Sequence, residues 1–338
     1  MELLDHLHKN PFVLAPMAGI TDKAFRSFMR KMGTGIVVTE LVSATGLRHA
    51  SQKTRRLMEF DQGQRPVGVQ IFGYSMEDLD FAAKEVEQMG ADFVDLNFGC
   101  PVPKVVKKGA GSAILKDPIR LREVLRTVKS AVNIPVTIKV RTGWDSQTRN
   151  AVEVSQIAGD EGVTWMAIHG RTRAQSYSGF ADWDYIAEVK KASPIPILGN
   201  GDLTSANKAV SRLEESGCDG VMIGRGCLKN PWIFEESLEQ WKTGDSSFRA
   251  ERDFQKVFKE LRIELESFFD ERLSALQLKK LAAWFSHGYP ASAQFRKNIF
   301  QAKTLQEVAD CIEQYFDVNG DQIQADTSHE AFLMGGHG

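Results

Sequence analysis

The sequence predicts a TIM (β/α)8 barrel followed by a small C-terminal helical domain. Three observations carry that expectation. Eight short apolar runs recur over about 230 residues, mostly separated by stretches of helical period. Several runs are apolar throughout rather than alternating, as in parallel strands buried on both faces. No Gly-x-Gly-x-x-Gly follows a strand and opens a helix, which argues against a doubly wound dinucleotide-binding sheet.

Taken in order, Phe12-Val-Leu-Ala15 is the first strand, bounded by Pro11 and Pro16. Thr21-Asp22 opens a helix with Ala24, Phe25, Phe28 and Met29 on one face. Ile36–Thr39, Val67–Ile71 and Phe93–Asn97 read as strands two to four. Ser75 and Asp78 form a capping pair before a helix over Leu79–Met89. Asp117-Pro118 is an N-cap with Pro at the first helical position, for a helix to about Val132. Val136–Val140, Thr164–His169, Ile195–Leu198 and Gly220–Ile223 complete the eight strands. Helices over Thr148–Gly159, Trp183–Lys191 and Thr204–Ser216 lie between them. Composition changes after Phe234, and Lys242–Ser247 is a polar linker. Phe254 to Phe269, Leu276–His287 and Leu305–Phe316 then show helical spacing. The expected units are a barrel over 1–242, a helical domain over 243–320 and an aperiodic, disordered tail over 321–338.

The chain has 338 residues, 42% hydrophobic and 25% charged, which suits a globular protein that needs no disulfides. Cys100, Cys218, Cys227 and Cys311 form no C-x-x-C pair, and no Cys/His cluster has zinc spacing, so no metal is expected. The N-terminus carries no signal-peptide pattern and no long apolar stretch spans a membrane, so a reduced, cytoplasmic protein is expected. The net charge of −2 argues against a nucleic-acid partner, but its distribution does not. Residues 304–338 hold seven acids and no Lys or Arg, which leaves the other 303 residues at +5, enough for a basic groove.

In a barrel of this kind, active sites lie where the strands end. Polar residues collect there: Pro16-Met17-Ala18-Gly19, Glu40, Gln70, Asn97, Cys100, Lys139, Arg141, His169, Arg171, Arg173, Asn200-Gly201-Asp202 and Gly224-Arg225-Gly226. The loops after strands seven and eight form an expected phosphate cradle, with Gly201, Gly224 and Gly226 for close backbone approach. Arg225 supplies a bidentate clamp and Thr204 starts a helix. Lys139 stands inside an apolar run, where an unpaired cation is costly. Cys100 sits between Gly99 and Pro101 on a rigid loop, followed by Lys104, Lys107 and Lys108. By itself it is equally a small buried cysteine or a chemical group.

The stretch Asp95-Leu-Asn97-Phe-Gly99-Cys100-Pro101 resembles the Asp-x-Asn-x-Gly-Cys-Pro loop of the tRNA-dihydrouridine synthases, flavoenzymes that reduce specific uridines in tRNA. The resemblance runs from Phe12 to Phe234, more weakly to Phe316, and is nearest to the bacterial B-type branch. It implies FMN as bound cofactor, NADPH as reductant and tRNA as partner of a monomeric enzyme. It sets Pro16, Met17 and Ala18 beside the isoalloxazine, Gln70 and Lys139 on its polar edge, and His169 nearby. Asn200, Gly201, Asp202, Gly224 and Arg225 fall at the ribityl chain and phosphate. Cys100 becomes the proton donor, Asn97 a contact to the uracil edge, and Arg141 and Arg171 holders of phosphate or base. Lys104, Lys107, Lys108 and Arg173 line the rim, where the uridine must be flipped out of the tRNA. Lys279, Lys280, Arg296 and Lys297, near Trp284, Phe285 and Tyr289, form an expected basic-aromatic RNA surface. There are two departures. Lys279-Lys280-Leu281 stands where relatives often carry Arg-Lys-His, and Val102 where they often carry Ala. Competing readings are a flavin barrel acting on a free pyrimidine, similar to the dihydroorotate dehydrogenases, and a non-enzymatic RNA-binding barrel.

Overall fold

Nine parallel strands curl into a barrel, and the computed structural model describes residues 2–325. Helix α1 (Leu3–Lys9) precedes β1 (Phe12–Leu14), which leads to α2 (Lys23–Lys31). β2 (Val37–Val38), β3 (Val42–Ser43), α3 (Ala44–Arg48) and α4 (Gln52–Arg56) follow. Next come β4 (Val67–Phe72), α5 (Met76–Gln88), β5 (Phe93–Phe98), α6 (Pro103–Val106) and α7 (Pro118–Ala131). β6 (Val136–Arg141), α8 (Ala151–Asp160), β7 (Met166–His169), α9 (Trp183–Ala192) and β8 (Ile197–Asn200) continue the alternation. α10 (Ala206–Ser216), β9 (Gly220–Ile223) and α11 (Ile233–Thr243) complete it.

The strands pair in the order β1-β9-β8-β7-β6-β5-β4-β2. A single parallel bridge, Val13 to Ile36, closes the circle, with Leu14 N–H donating to Ile36 O at 3.0 Å. Eight strands were expected. The ninth, β3, arises because the chain leaves the sheet after Val38 and re-pairs with β4 at Val42–Ile71. That detour carries Glu40 at the barrel mouth. The expected seventh strand, β8, begins at Ile197 rather than Ile195, since Pro194 and Pro196 flank the earlier start and cannot donate to a ladder.

Leu3, Leu7, Val13, Ala15, Ile36, Val38, Phe93, Trp165, Ala167, Leu198 and Met222 form the packed barrel interior. Phe93 and Trp165 meet edge to face, centroids 5.2 Å apart. Gly68 makes room for them, because a Cβ there would lie 2.2 Å from the Phe93 ring. The outer layer docks the helices. Asp117 caps α7, with Pro118 at its first position, as expected. Ser75 caps α5, but Asp78 does not reach back. Its carboxylate instead accepts from Thr45 Oγ1 at 2.6 Å and Arg48 at 3.3 Å, tying α5 to α3. Ser205, not Thr204, caps α10, accepting from Lys208 N–H.

Four helices follow: α12 (Phe254–Phe268), α13 (Glu271–Phe285), α14 (Ser292–Gln301) and α15 (Leu305–Asn319). α13 starts five residues before the expected Leu276, because Asp270 caps it. α14 escaped the sequence reading because only Phe295 and Ile299 are buried on it. This bundle shares one core with the barrel's outer layer. Phe28 of α2 meets Phe285 at 6.5 Å, Phe285 meets Phe258 at 5.8 Å, and Phe254 stacks on Phe316 at 4.1 Å. Trp284, Phe285 and Tyr289 are thus core residues, a correction to the expected RNA-facing surface. Hydrophobic burial won because α12, α13 and α15 have no other apolar partner. Gln324 donates to Lys229 O and His287 O, and Ala325 N–H to Gly288 O, so the chain is tied down to its last described residue. The rest of the expected tail, 326–338, lies outside the described residues. Among the described residues no helix is long and apolar enough to cross a membrane.

Candidate active site at the barrel mouth

The carboxyl ends of the strands carry one connected polar network. Its base is Asp95, buried in β5. Asp95 Oδ1 accepts from Thr137 Oγ1 at 2.6 Å and Oδ2 from Gln70 Nε2 at 2.6 Å. Gln70 Oε1 then accepts from Asn97 Nδ2 at 2.9 Å. Asn97 Oδ1 in turn accepts from the backbone N–H of Gly99 at 3.1 Å and of Cys100 at 2.8 Å. Four side chains on three adjacent strands therefore fix the cysteine loop. The sequence names Asp95 as the first residue of the cysteine motif without giving it a role, and it does not single out Thr137. A threonine facing the Asp95 carboxylate across the ladder is only visible once β5 and β6 are in register.

Cys100 is half-buried. Its thiol is pushed up by burial, against the Val102 N–H and the Arg141 charge, which lower it. It stays protonated at neutral pH. Its carbonyl accepts from Ser112 N–H at 3.2 Å and Ser112 Oγ at 2.8 Å, closing the loop over Gly111.

Lys139 Nζ donates to Asn200 Oδ1 at 3.1 Å, and Asn200 Nδ2 donates to Met222 O at 2.7 Å. Burial pulls Lys139 down to about 8; Arg141 adds to this and Asp95 opposes it. His169 is held well below its ordinary value by burial and by Arg141, Lys139, Arg171 and Arg225 around it. A neutral histidine thus stands among four cations. Asp202 is the carboxylate that meets this group, bonded to Arg171 at 2.9 Å and lying 4.0 Å from Arg225. Such a field suits an anionic ligand.

The two buried arginines do more than bear charge. Arg141 donates to Gly99 O, Thr172 O and Ser176 O, at 2.8, 2.9 and 2.7 Å. Arg171 donates to Ser178 O at 3.1 Å and Gly179 O at 2.6 Å. Asp202 also accepts from Ala181 N–H at 2.7 Å. Together they pin the loop after β7. Expected to hold substrate, both arginines hold backbone here; their guanidinium charge still faces the mouth region. The pinned loop presents two aromatics that sequence reading missed: Tyr177, 44% exposed, and Phe180, 87% exposed. Arg225 and Arg141 lie 5.1 and 5.6 Å from the Tyr177 ring. An aromatic pair in a Gly/Ser-rich turn was the available signal.

Pro16, Met17, Ala18 and Gly19 follow β1. Met17 N–H donates to Thr21 Oγ1 at 2.9 Å, and a Cβ on Gly224 would stand 3.6 Å from Met17 Sδ, so the β1 and β9 loops adjoin. Gly201, at φ +132, backs onto the His169 ring, 3.2 Å from where a Cβ would sit. Lys104, Lys107 and Lys108 are exposed on and just after α6. Arg173 and Lys116 flank the Trp144 ring at 4.3 and 4.7 Å, extending this basic rim. In the helical domain Lys279 donates to Ala302 O and Lys280 to Gly19 O, the first part-buried and the second exposed. No group of three or more His, Cys, Asp or Glu suited to a metal occurs among the described residues.

Fold and site together define a (β/α)8 barrel with a strongly cationic mouth and one half-buried thiol on an anchored loop. A solved 6-hydroxypseudooxynicotine amine oxidase from Pseudomonas geniculata shares this fold, with a TM-score of 0.53 at 16% identity over 69% of this chain and 47% of its own. Closer in sequence is the tRNA-dihydrouridine synthase B of Pseudomonas aeruginosa, 37% identical over 91% of this chain and 93% of its own. That of Pseudomonas putida is 40% identical over 85% and 86%. A probable tRNA-dihydrouridine synthase 1 of Synechocystis is 36% identical over 89% and 84%. The dihydrouridine synthase family model matches residues 13–319, and the chain belongs to that family.

Proposed function

We propose that this protein is an FMN-dependent, NADPH-driven tRNA-dihydrouridine synthase in which Cys100 supplies the proton. The observation that carries the reading is the protonated, half-buried Cys100 thiol, anchored through Asn97 beside a cationic barrel mouth. The residues present fit FMN. Four cations around neutral His169 match its phosphate and the negative charge of its reduced ring. Lys139 would lie on the ring's N1–C2 edge, Pro16, Met17 and Ala18 against the ring, and Gly201, Gly224 and Arg225 at the phosphate. When bound, FMN supplies the hydride that reduces the uracil 5,6 double bond. Cys100 Sγ–H gives up its proton to the other carbon of that bond and later recovers one from solvent. Gln70 and Asn97 orient the cysteine loop, while Arg141 and Arg171 keep the loop beneath Tyr177 and Phe180 rigid. These aromatics support stacking of bases displaced from the RNA.

A purified protein that carries a yellow flavin, and loss of dihydrouridine from the tRNA of cells lacking it, test the reading. A colourless protein and unchanged tRNA overturn it. For the cofactor, Arg225→Ala is expected to lose FMN on dialysis with its fold intact; a variant that stays fully yellow removes Arg225 from the site. For the RNA, affinity is expected to fall steeply with salt, by a log–log slope of roughly several units. Reversing Lys107 and Lys108 to Glu flattens that slope. An unchanged slope places the RNA elsewhere.

A further inference from the structure

The β1–α2 loop is gripped from two sides at one residue, Gly19. Gly19 N–H donates to Glu40 Oε1, and Gly19 O accepts from Lys280 Nζ at 2.6 Å. Glu40 belongs to the barrel, on the detour between β2 and β3. Lys280 belongs to α13, 261 residues along the chain. Gly19 itself is exposed, at φ +71, and a Cβ there would meet no atom within 4 Å. Gly19 has no side chain to anchor the tip. The turn is closed at its base, where Ile20 and Thr21 N–H donate to Met17 O at 3.1 and 3.0 Å and Met17 N–H donates to Thr21 Oγ1 at 2.9 Å, and Glu40 and Lys280 add the two side-chain grips at Gly19.

Lys280 is well placed for this task alone. Its ammonium lies 5.1 Å from the Trp284 ring centre, which steadies the side chain. The carboxylates that face it are Glu40 and Asp22, and Asp22 also caps α2 by accepting from Phe25 N–H at 2.9 Å. Arg26, the neighbouring cation, is committed to Thr21 O, Gln64 Oε1 and Glu59 O.

We propose that Lys280 is a positioning residue of the oxidoreductase site, holding Met17–Gly19 in the shape that receives the flavin. The helical domain thereby completes the cofactor pocket. This rests on the flavin reading, and the experiment separates the two. Cofactor-free wild type, Lys280→Met, Lys280→Arg and Glu40→Gln are titrated with FMN, melted without it, and titrated with tRNA. Lys280→Met is expected to weaken FMN binding about tenfold or more, the scale of one charge-assisted hydrogen bond. Lys280→Arg restores most of it. Glu40→Gln weakens binding too, and the double variant loses less than the sum, since both side chains act through one residue, Gly19. If wild type binds no FMN, the flavin reading fails and takes this proposal with it. If wild type binds and Lys280→Met binds equally well, the positioning role alone is overturned. Loss of tRNA affinity with FMN affinity intact makes Lys280 an RNA contact, and a lower melting point with FMN affinity intact makes it purely structural; both overturn the proposal. Should Lys280→Met fail to fold, Lys280→Arg and Glu40→Gln decide it.

Discussion

Cys100→Ala is expected to slow the tRNA-dependent half of the reaction by about 10²–10⁴-fold, the usual contribution of a general acid. The half driven by NADPH is expected to run near its parent rate. The reason is the division of labour at the site. Cys100 meets the cationic cluster only through Arg141, which donates to Gly99 O one residue before it. Its backbone, not its thiol, is tied to Asn97 and Ser112, so removing Sγ leaves the loop anchored. Cys100→Ser keeps an oxygen in place but a far weaker acid, and is also expected to be slow. Single-turnover absorbance at the flavin band separates the two halves. A parent-like rate with tRNA makes the thiol structural.

The second large effect is expected at Lys139. Lys139→Met is expected to slow NADPH-driven reduction by about 10²–10³-fold, the scale for losing one preorganised charge partner at a developing anion. The same change is expected to stabilise the cofactor-free protein at neutral pH. Unfolded, Lys139 keeps its proton up to its ordinary 10.5; folded, only up to about 8. The fold therefore carries a penalty for this charge that is full below pH 8 and gone above 10.5. Melting curves of the cofactor-free pair should show Lys139→Met ahead at pH 7, with the gap closing as pH rises through that window. A gap that is absent at pH 7, or that widens with pH, means Lys139 is not the strained cation described. In the loaded wild-type enzyme, activity is expected to fall on the alkaline side as this proton leaves, and Lys139→Arg should remove that limb.

How far the sequence reached can be judged residue by residue. Phe12–Ala15 and Gly220–Ile223 announced buried parallel strands, because both faces of such strands are covered and no polar alternation survives. The Gly99–Pro101 pair announced the cysteine loop, since those two residue types restrict or free the backbone locally. The Asp117-Pro118 cap was legible for the same reason: its partner is three residues away. β3 and α14 were missed. A two-residue strand has no period, and α14 buries only two apolar side chains.

The pairing of polar groups was out of reach. Arg141 and Arg171 read as substrate contacts, and the tertiary structure adds what spacing could not show, that several of their donors meet carbonyls of the 172–179 loop. Lys280 looked like an RNA contact, yet it reaches Gly19 in the barrel. Asp95 and Thr137 meet only through strand register. Alone, then, the sequence determined the order of strands and helices, the strand ends where polar residues gather, and the cysteine loop. Those features depend on local period and backbone chemistry. The tertiary structure decided which charges are neutralised, which pKa values move and which lysine reaches Gly19. Those depend on burial and on hydrogen bonds between residues far apart in the chain, and no spacing along the sequence encodes them.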